Sequence, residues 1–150
     1  MGLKETLQSD LTEAIRSRDE MSSGTIRMIL TAITNEEVSG KSARVLTDGE
    51  IITVLSREAK KRREAAEAYK EAGREDRAAA EVEEGKVIAR YLPEQLSEDA
   101  IKKMIADAIA ETGATGPSGM GQVMKLIQPK IAGKADGGLV STLVKAALNG

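Results

Sequence analysis

Residues 119–148 read GMGQVMKLIQPKIAGKADGGLVSTLVKAAL and form the most informative stretch of the chain. Apolar residues recur every three or four positions before residue 133 and again after residue 137, a spacing that predicts two short amphipathic helices. Gly133 favours a left-handed helix stop, and the Asp136 carboxylate is suited to capping the helix that follows. We therefore predict two helices joined by a tight structural corner formed by Gly133, Asp136 and Gly137.

The same stretch is basic although the chain as a whole is acidic. Residues 117–150 contain four lysines and one aspartate, a net charge of +3, whereas the whole chain carries −2. A local excess of lysine on a helical surface is typical of contact with a polyanion, and we predict that this polyanion is RNA. The candidate RNA-binding residues are Lys125, Lys130, Lys134 and Lys145.

Helical periodicity continues through the rest of the chain, and no segment alternates as a half-buried strand would. The predicted helix starts are Thr47, in a capping box with Glu50, then Ser97, Ser118 and Asp136. Gly73 and Gly113 are the predicted stops of the third and fifth helices. Ile15, Val82 and Leu139 are among the apolar residues expected to face the core.

These elements predict an all-α protein, with an N-terminal four-helix domain (residues 1–93) followed by a C-terminal three-helix bundle (residues 94–150). Leu92-Pro93 marks the boundary because proline disfavours the helical conformation of the residue before it. The net charge changes near this point, from −3 over residues 1–96 to +1 over residues 97–150.

The composition narrows the possible functions. The chain has no Cys, His, Trp or Phe, which excludes disulfides, thiolate nucleophiles and the commonest general base near neutral pH. We therefore expect no catalytic residues, no metal and no cofactor. No apolar run approaches a membrane span and the N-terminus does not resemble a signal peptide, so we expect no membrane partner and a cytoplasmic location.

The densest basic run is formed by Lys60, Lys61, Arg62 and Arg63. Four consecutive residues spread around a whole helix circumference, so the run does not form one stripe. Two interpretations stay open: a solvated charged helix paired with nearby glutamates such as Glu58, or a secondary phosphate contact.

Several of these patterns together resemble the YqeY family over the whole chain. The most specific part of the resemblance is Met-Gly-x-Val-Met at residues 120–124, followed by residues 133–137, Val140 and Val144-Lys145. Further matching segments are Leu-x-x-Asp-Leu-x-x-Ala-x-Arg at residues 7–16, then residues 27–30, 60–64, 72–76 and 91–93.

The resemblance implies a free-standing relative of the tail domain of GatB, the B subunit of the glutamine-dependent tRNA amidotransferase. That tail domain helps to recognise the body of the tRNA, and the amidation site lies elsewhere. The resemblance therefore implies a non-catalytic tRNA-binding module, with an amidotransferase or another tRNA enzyme as its protein partner. Two alternatives stay open: an interaction adaptor with no RNA role that docks through its acidic N-terminal helices, and an enzyme of the carbon–nitrogen ligase class with glutamine as amido donor.

Overall fold

The computed structural model describes residues 2–149, and within that range the chain forms seven α-helices and no strand. The all-α prediction is confirmed. The chain divides into two compact units between Leu92 and Pro93, here called unit 1 and unit 2. Unit 1 contains α1 (Leu3–Arg16), α2 (Glu20–Glu37), α3 (Asp48–Glu71) and α4 (Glu75–Ala89). Unit 2 contains α5 (Glu98–Thr112), a 3₁₀ turn (Pro117–Gly119), α6 (Met120–Ile131) and α7 (Gly137–Asn149).

Helix boundaries follow local capping chemistry. The Thr47 hydroxyl accepts from the Glu50 amide and the Glu50 carboxylate accepts from the Thr47 amide, so the predicted capping box is confirmed. Ser97 caps α5, and Gly113 ends that helix with φ +66°. The start of α2 was not foreseen: the Asp19 carboxylate accepts from the Ser22 amide at 3.1 Å, which satisfies one of the free donors of the first turn.

The core of unit 1 is aliphatic, and its largest fully buried side chains are Leu7, Ile26, Ile29, Ile33, Ile51, Leu55 and Ile88. Two residues expected in it, Ile15 and Val82, are instead exposed by 50% and 48%. A series spaced strictly by four residues drifts about 40° per step around a helix, so Ile15 has turned away from Leu7. Val82 lies about 140° around α4 from the buried Val87.

Unit 2 has its own core, in which the buried members are Ile101, Ile105, Ala108, Ala114, Val123, Ile127, Ile131, Val140 and Val144. The expectation that Leu139 lies inward is wrong, because this side chain is 40% exposed. Leu139 lies about 100° around α7 from Val140, at the edge of the buried stripe.

The beginning of α6 also differs from the prediction. Ser118 lies within the 3₁₀ turn and Gly119 occupies the N-cap position, where no side chain caps the helix. A Cβ at Gly119 would lie 2.7 Å from the Ala114 Cβ, so this close approach requires glycine. Pro129 lies in the last turn of α6, and the helix continues to Ile131. Across residues 2–149, every helix is too short or too polar to cross a membrane.

Candidate nucleic-acid interface

The four candidate lysines all lie on α6, α7 and the corner that joins them. Lys125 and Lys130 are on α6, Lys134 is in the corner, Lys145 is on α7, and all four are exposed. Lys125 and Lys130 are five residues apart, which places them about 140° apart around α6. Lys125 and Lys130 therefore do not lie on a single stripe of α6.

Ion pairing separates these four lysines from the other two in unit 2. On α5, Lys102 pairs with Glu98 at 3.3 Å and Lys103 pairs with Asp107 at 3.0 Å. None of the ion pairs found among residues 2–149 includes a lysine of the α6–α7 half. In the described part of unit 2, the lysines outside ion pairs are therefore those of the α6–α7 half.

The corner has a defined backbone geometry. Gly133 has φ +74°, a left-handed conformation that glycine adopts easily and residues with a Cβ rarely adopt. The Lys134 amide donates to the Ile131 carbonyl at 2.8 Å, which completes the end of α6. The Asp136 carboxylate accepts from the Gly138 amide at 3.0 Å at the start of α7. Lys134 therefore lies on a turn whose two ends are both fixed by hydrogen bonds.

A second set of bonds holds the same corner and was missed from the sequence. The Gln95 side-chain amide donates to the Gly133 carbonyl at 2.9 Å, and the Leu96 backbone amide donates to the Lys134 carbonyl at 2.9 Å. Residues 93–96 show no helical period and precede the Ser97 cap. No local pattern therefore marks their contact with a turn nearly forty residues later.

The four residues of the basic run at positions 60–63 differ in their exposure to solvent. Lys60, Lys61 and Arg63 are exposed, but the Arg62 side chain is only 14% exposed. Arg62 approaches Glu84 at 3.2 Å, Glu58 at 3.5 Å and Glu81 at 3.8 Å. This set, here called the Arg62 network, neutralises Arg62 inside unit 1, so its guanidinium does not face solvent as a phosphate contact requires.

The Arg62 network contains buried polar atoms without hydrogen bonds and a carboxyl group with a raised pKa. Arg62 Nε and Glu81 Oε2 are buried without a hydrogen-bond partner, so Nε contributes an ion pair to Glu84 and no well-aligned hydrogen bond. Burial and the neighbouring Glu81 carboxylate raise the pKa of Glu84, and Arg62 opposes that rise. Arg62 is therefore a structural counter-ion for three carboxylates.

Unit 1 also contains an open cleft of about 410 Å³ that sequence analysis did not predict. Its polar lining includes a bond from the Tyr91 hydroxyl to Asp10 at 2.6 Å and a bond from Arg90 to the Ser22 hydroxyl at 3.2 Å. Burial and the bond to Asp10 raise the pKa of Tyr91 well above its usual range. The phenol therefore stays protonated near neutral pH and is a poor general acid or base.

Side chains that favour metal binding do not cluster in residues 2–149. Within this described range, no group of three or more Asp or Glu side chains is arranged to hold a metal ion. Asp19, on the wall of the cleft, has its pKa lowered mainly by the bond from Ser22, which keeps its carboxylate charged as the cap of α2.

The chain belongs to the YqeY family. The family described as Yqey-like protein matches residues 4–148. The chain is 30% identical over 134 residues to "Altered inheritance of mitochondria protein 41, mitochondrial" of Clavispora lusitaniae, covering 87% of this chain and 76% of that protein. It is also 30% identical over 96 residues to an uncharacterized protein of Schizosaccharomyces pombe, covering 63% of this chain and 76% of that protein.

Proposed function

We propose that this chain is a non-catalytic tRNA-binding module that contacts RNA through phosphates and shape. The observation that carries the proposal is the charge distribution of unit 2. Among residues 2–149, four exposed lysines on the α6–α7 half form no ion pair, while both lysines of α5 are paired. A surface lysine outside ion pairs can neutralise an RNA phosphate and release its counterion without first breaking an ion pair within the protein.

The side chains available favour backbone contacts over base recognition. Both tyrosines of the chain lie in unit 1 and there is no Phe or Trp, so unit 2 has no aromatic ring on which a base can stack. Structured RNA presents phosphates and 2′-hydroxyls on its surface, which lysines and backbone groups recognise without reading sequence. Binding of this kind is modest in affinity and sensitive to salt.

Two charge-matched variants test the assignment of the site. Lys134→Gln and Lys103→Gln each remove one positive charge from an exposed position in unit 2. We expect Lys134→Gln to weaken binding to bulk tRNA and to reduce the salt slope by about 1, because one phosphate contact is lost. Lys103→Gln changes the net charge equally on α5 and is expected to leave both quantities near wild type. Equal effects of the two variants would remove the corner from the site.

A specific surface feature favours a second candidate, a protein-interaction adaptor. The connection from α2 to α3 exposes two valines, Val38 by 58% and Val45 by 80%. Burying exposed apolar side chains against a partner protein is favourable, and the partner we propose is an amidotransferase or another tRNA enzyme. Pull-down from a lysate with and without nuclease separates the candidates: a partner retained after nuclease and lost in Val45→Ser supports the adaptor.

We also propose a cytoplasmic location, which subcellular fractionation tests.

A further inference from the structure

The segment that begins unit 2, residues 93–96, forms hydrogen bonds with the corner that carries Lys134. The Gln95 side-chain amide bonds the Pro93 carbonyl at 2.8 Å and the Gly133 carbonyl at 2.9 Å. A primary amide has two N–H donors, so Gln95 can donate one hydrogen bond to the Pro93 carbonyl and the other to the Gly133 carbonyl. The next residue, Leu96, donates its backbone N–H to the Lys134 carbonyl.

These bonds fix both peptide groups that flank the Lys134 Cα. The Gly133 carbonyl belongs to the peptide before Lys134, and the Lys134 carbonyl belongs to the peptide after it. The amide of the first peptide is also bound, to the Ile131 carbonyl at 2.8 Å. With both peptide planes held, the direction of the Cα–Cβ bond is set, and only the side-chain torsions of Lys134 remain free.

We propose that Gln95 is a positioning residue that orients Lys134 for contact with an RNA phosphate. The inference rests on the proposed function, and it adds a residue that touches no RNA itself. Gln95 is exposed and uncharged, so its role is to hold the corner and not to attract the polyanion.

The other restraints on the corner do not depend on Gln95. Asp136 still caps α7, Ile131 is still buried in the core of unit 2, and Leu96 packs against that core and keeps its backbone bond. Removing the Gln95 amide therefore leaves the peptide before Lys134 held only by the bond from the Lys134 amide to the Ile131 carbonyl, while unit 2 stays folded. A peptide held by one bond in place of two lets Lys134 sample more directions, and ordering it again on binding weakens the complex.

The test uses Gln95→Met, which keeps the length of the side chain and the net charge but has no N–H donor. We expect its affinity for bulk tRNA to fall about threefold, from the cost of ordering one side chain on binding. The matched control is Gln122→Met, an exposed glutamine on α6, which is expected to bind as wild type. Amide NMR spectra of both variants show whether the fold of unit 2 is retained.

Double variants separate positioning from a general structural role. In the Lys134→Gln background, Gln95→Met should cause no further loss, because the group it positions is gone. In the Lys145→Gln background it should still cause the threefold loss. A loss of equal size in both backgrounds would mean that Gln95 supports the whole unit, and it would overturn the inference.

The remaining outcomes distinguish this inference from the proposed function. If wild type binds tRNA and Gln95→Met binds equally well, the positioning role is wrong and the tRNA-binding module stands. If wild type does not bind tRNA at about 25 mM salt, where phosphate contacts are strongest, the proposed function and this inference both fail.

Discussion

Replacing Arg62 with methionine should destabilise unit 1 strongly, although the residue belongs to a run that looks solvated in the sequence. Its three partners, Glu58, Glu81 and Glu84, have side chains that are only 12%, 20% and 29% exposed. Removing one partner of a buried ion pair costs about 3–5 kcal/mol, because the remaining charge is left uncompensated. The three carboxylates keep some exposure, so we expect a loss of about 3 kcal/mol, at the lower end of that range.

The loss should depend on pH in a defined direction. The pKa of Glu84 is already raised, first by burial and then by Glu81, while Arg62 opposes the rise. Without Arg62 the pKa rises further above its value in the unfolded chain, so protonation favours the folded state. The destabilisation of Arg62→Met is therefore largest near neutral pH and shrinks as the pH falls through that raised pKa.

The tyrosines allow unit 1 to be followed by itself. Tyr69 and Tyr91 are the only aromatic residues of the chain and both lie in unit 1, so tyrosine fluorescence during urea unfolding reports this unit alone. Arg63→Met is the matched control, because Arg63 is exposed and outside the Arg62 network, and it should change stability by less than about 0.5 kcal/mol. A loss below about 1 kcal/mol for Arg62→Met, or one that does not change with pH, would refute the reasoning.

Two further predictions concern packing and a hydrogen bond. Gly119→Ala places a Cβ 2.7 Å from the Ala114 Cβ and should lower the free energy of unfolding by about 1–3 kcal/mol. Gly121→Ala lies in an open helical position and should raise the free energy of unfolding by up to about 1 kcal/mol. Urea unfolding followed by far-UV circular dichroism measures both changes, and a reversed order of stability would contradict the packing argument. Tyr91→Phe loses the bond to Asp10 and should cost about 1–2 kcal/mol. Because the folded pKa of Tyr91 is raised, wild type should also lose stability as the pH rises above about 10, and Tyr91→Phe should lack that loss; an unchanged alkaline profile would show that the bond contributes nothing.

Sequence signals were sufficient where a structure depends on neighbouring residues. The capping box of Thr47 and Glu50, the Ser97 cap and the Gly113 stop are all local, and the structure has each of them. Ser118 was assigned wrongly because it lies within a 3₁₀ turn, and Gly119 occupies the N-cap position of α6.

Sequence signals failed where a structure depends on distant residues. Arg62 is drawn inward by two carboxylates of α4, which a helical wheel of α3 cannot show. The bond from Tyr91 to Asp10 joins residues 81 positions apart, and the bond from Gln95 to the corner spans 38 positions. The sequence pattern does not indicate any of these pairings, because each joins segments that only the tertiary fold brings together.

The most direct test of the account is the salt dependence of wild-type binding to bulk tRNA, measured by fluorescence anisotropy. If Lys125, Lys130, Lys134 and Lys145 each neutralise one phosphate, the slope of log K against log salt is about −2.8 to −3.6. The affinity then falls about 50- to 150-fold between about 50 and 200 mM salt. No binding at about 25 mM salt, or binding that does not change with salt, would contradict the claim that these lysines form an RNA-binding surface.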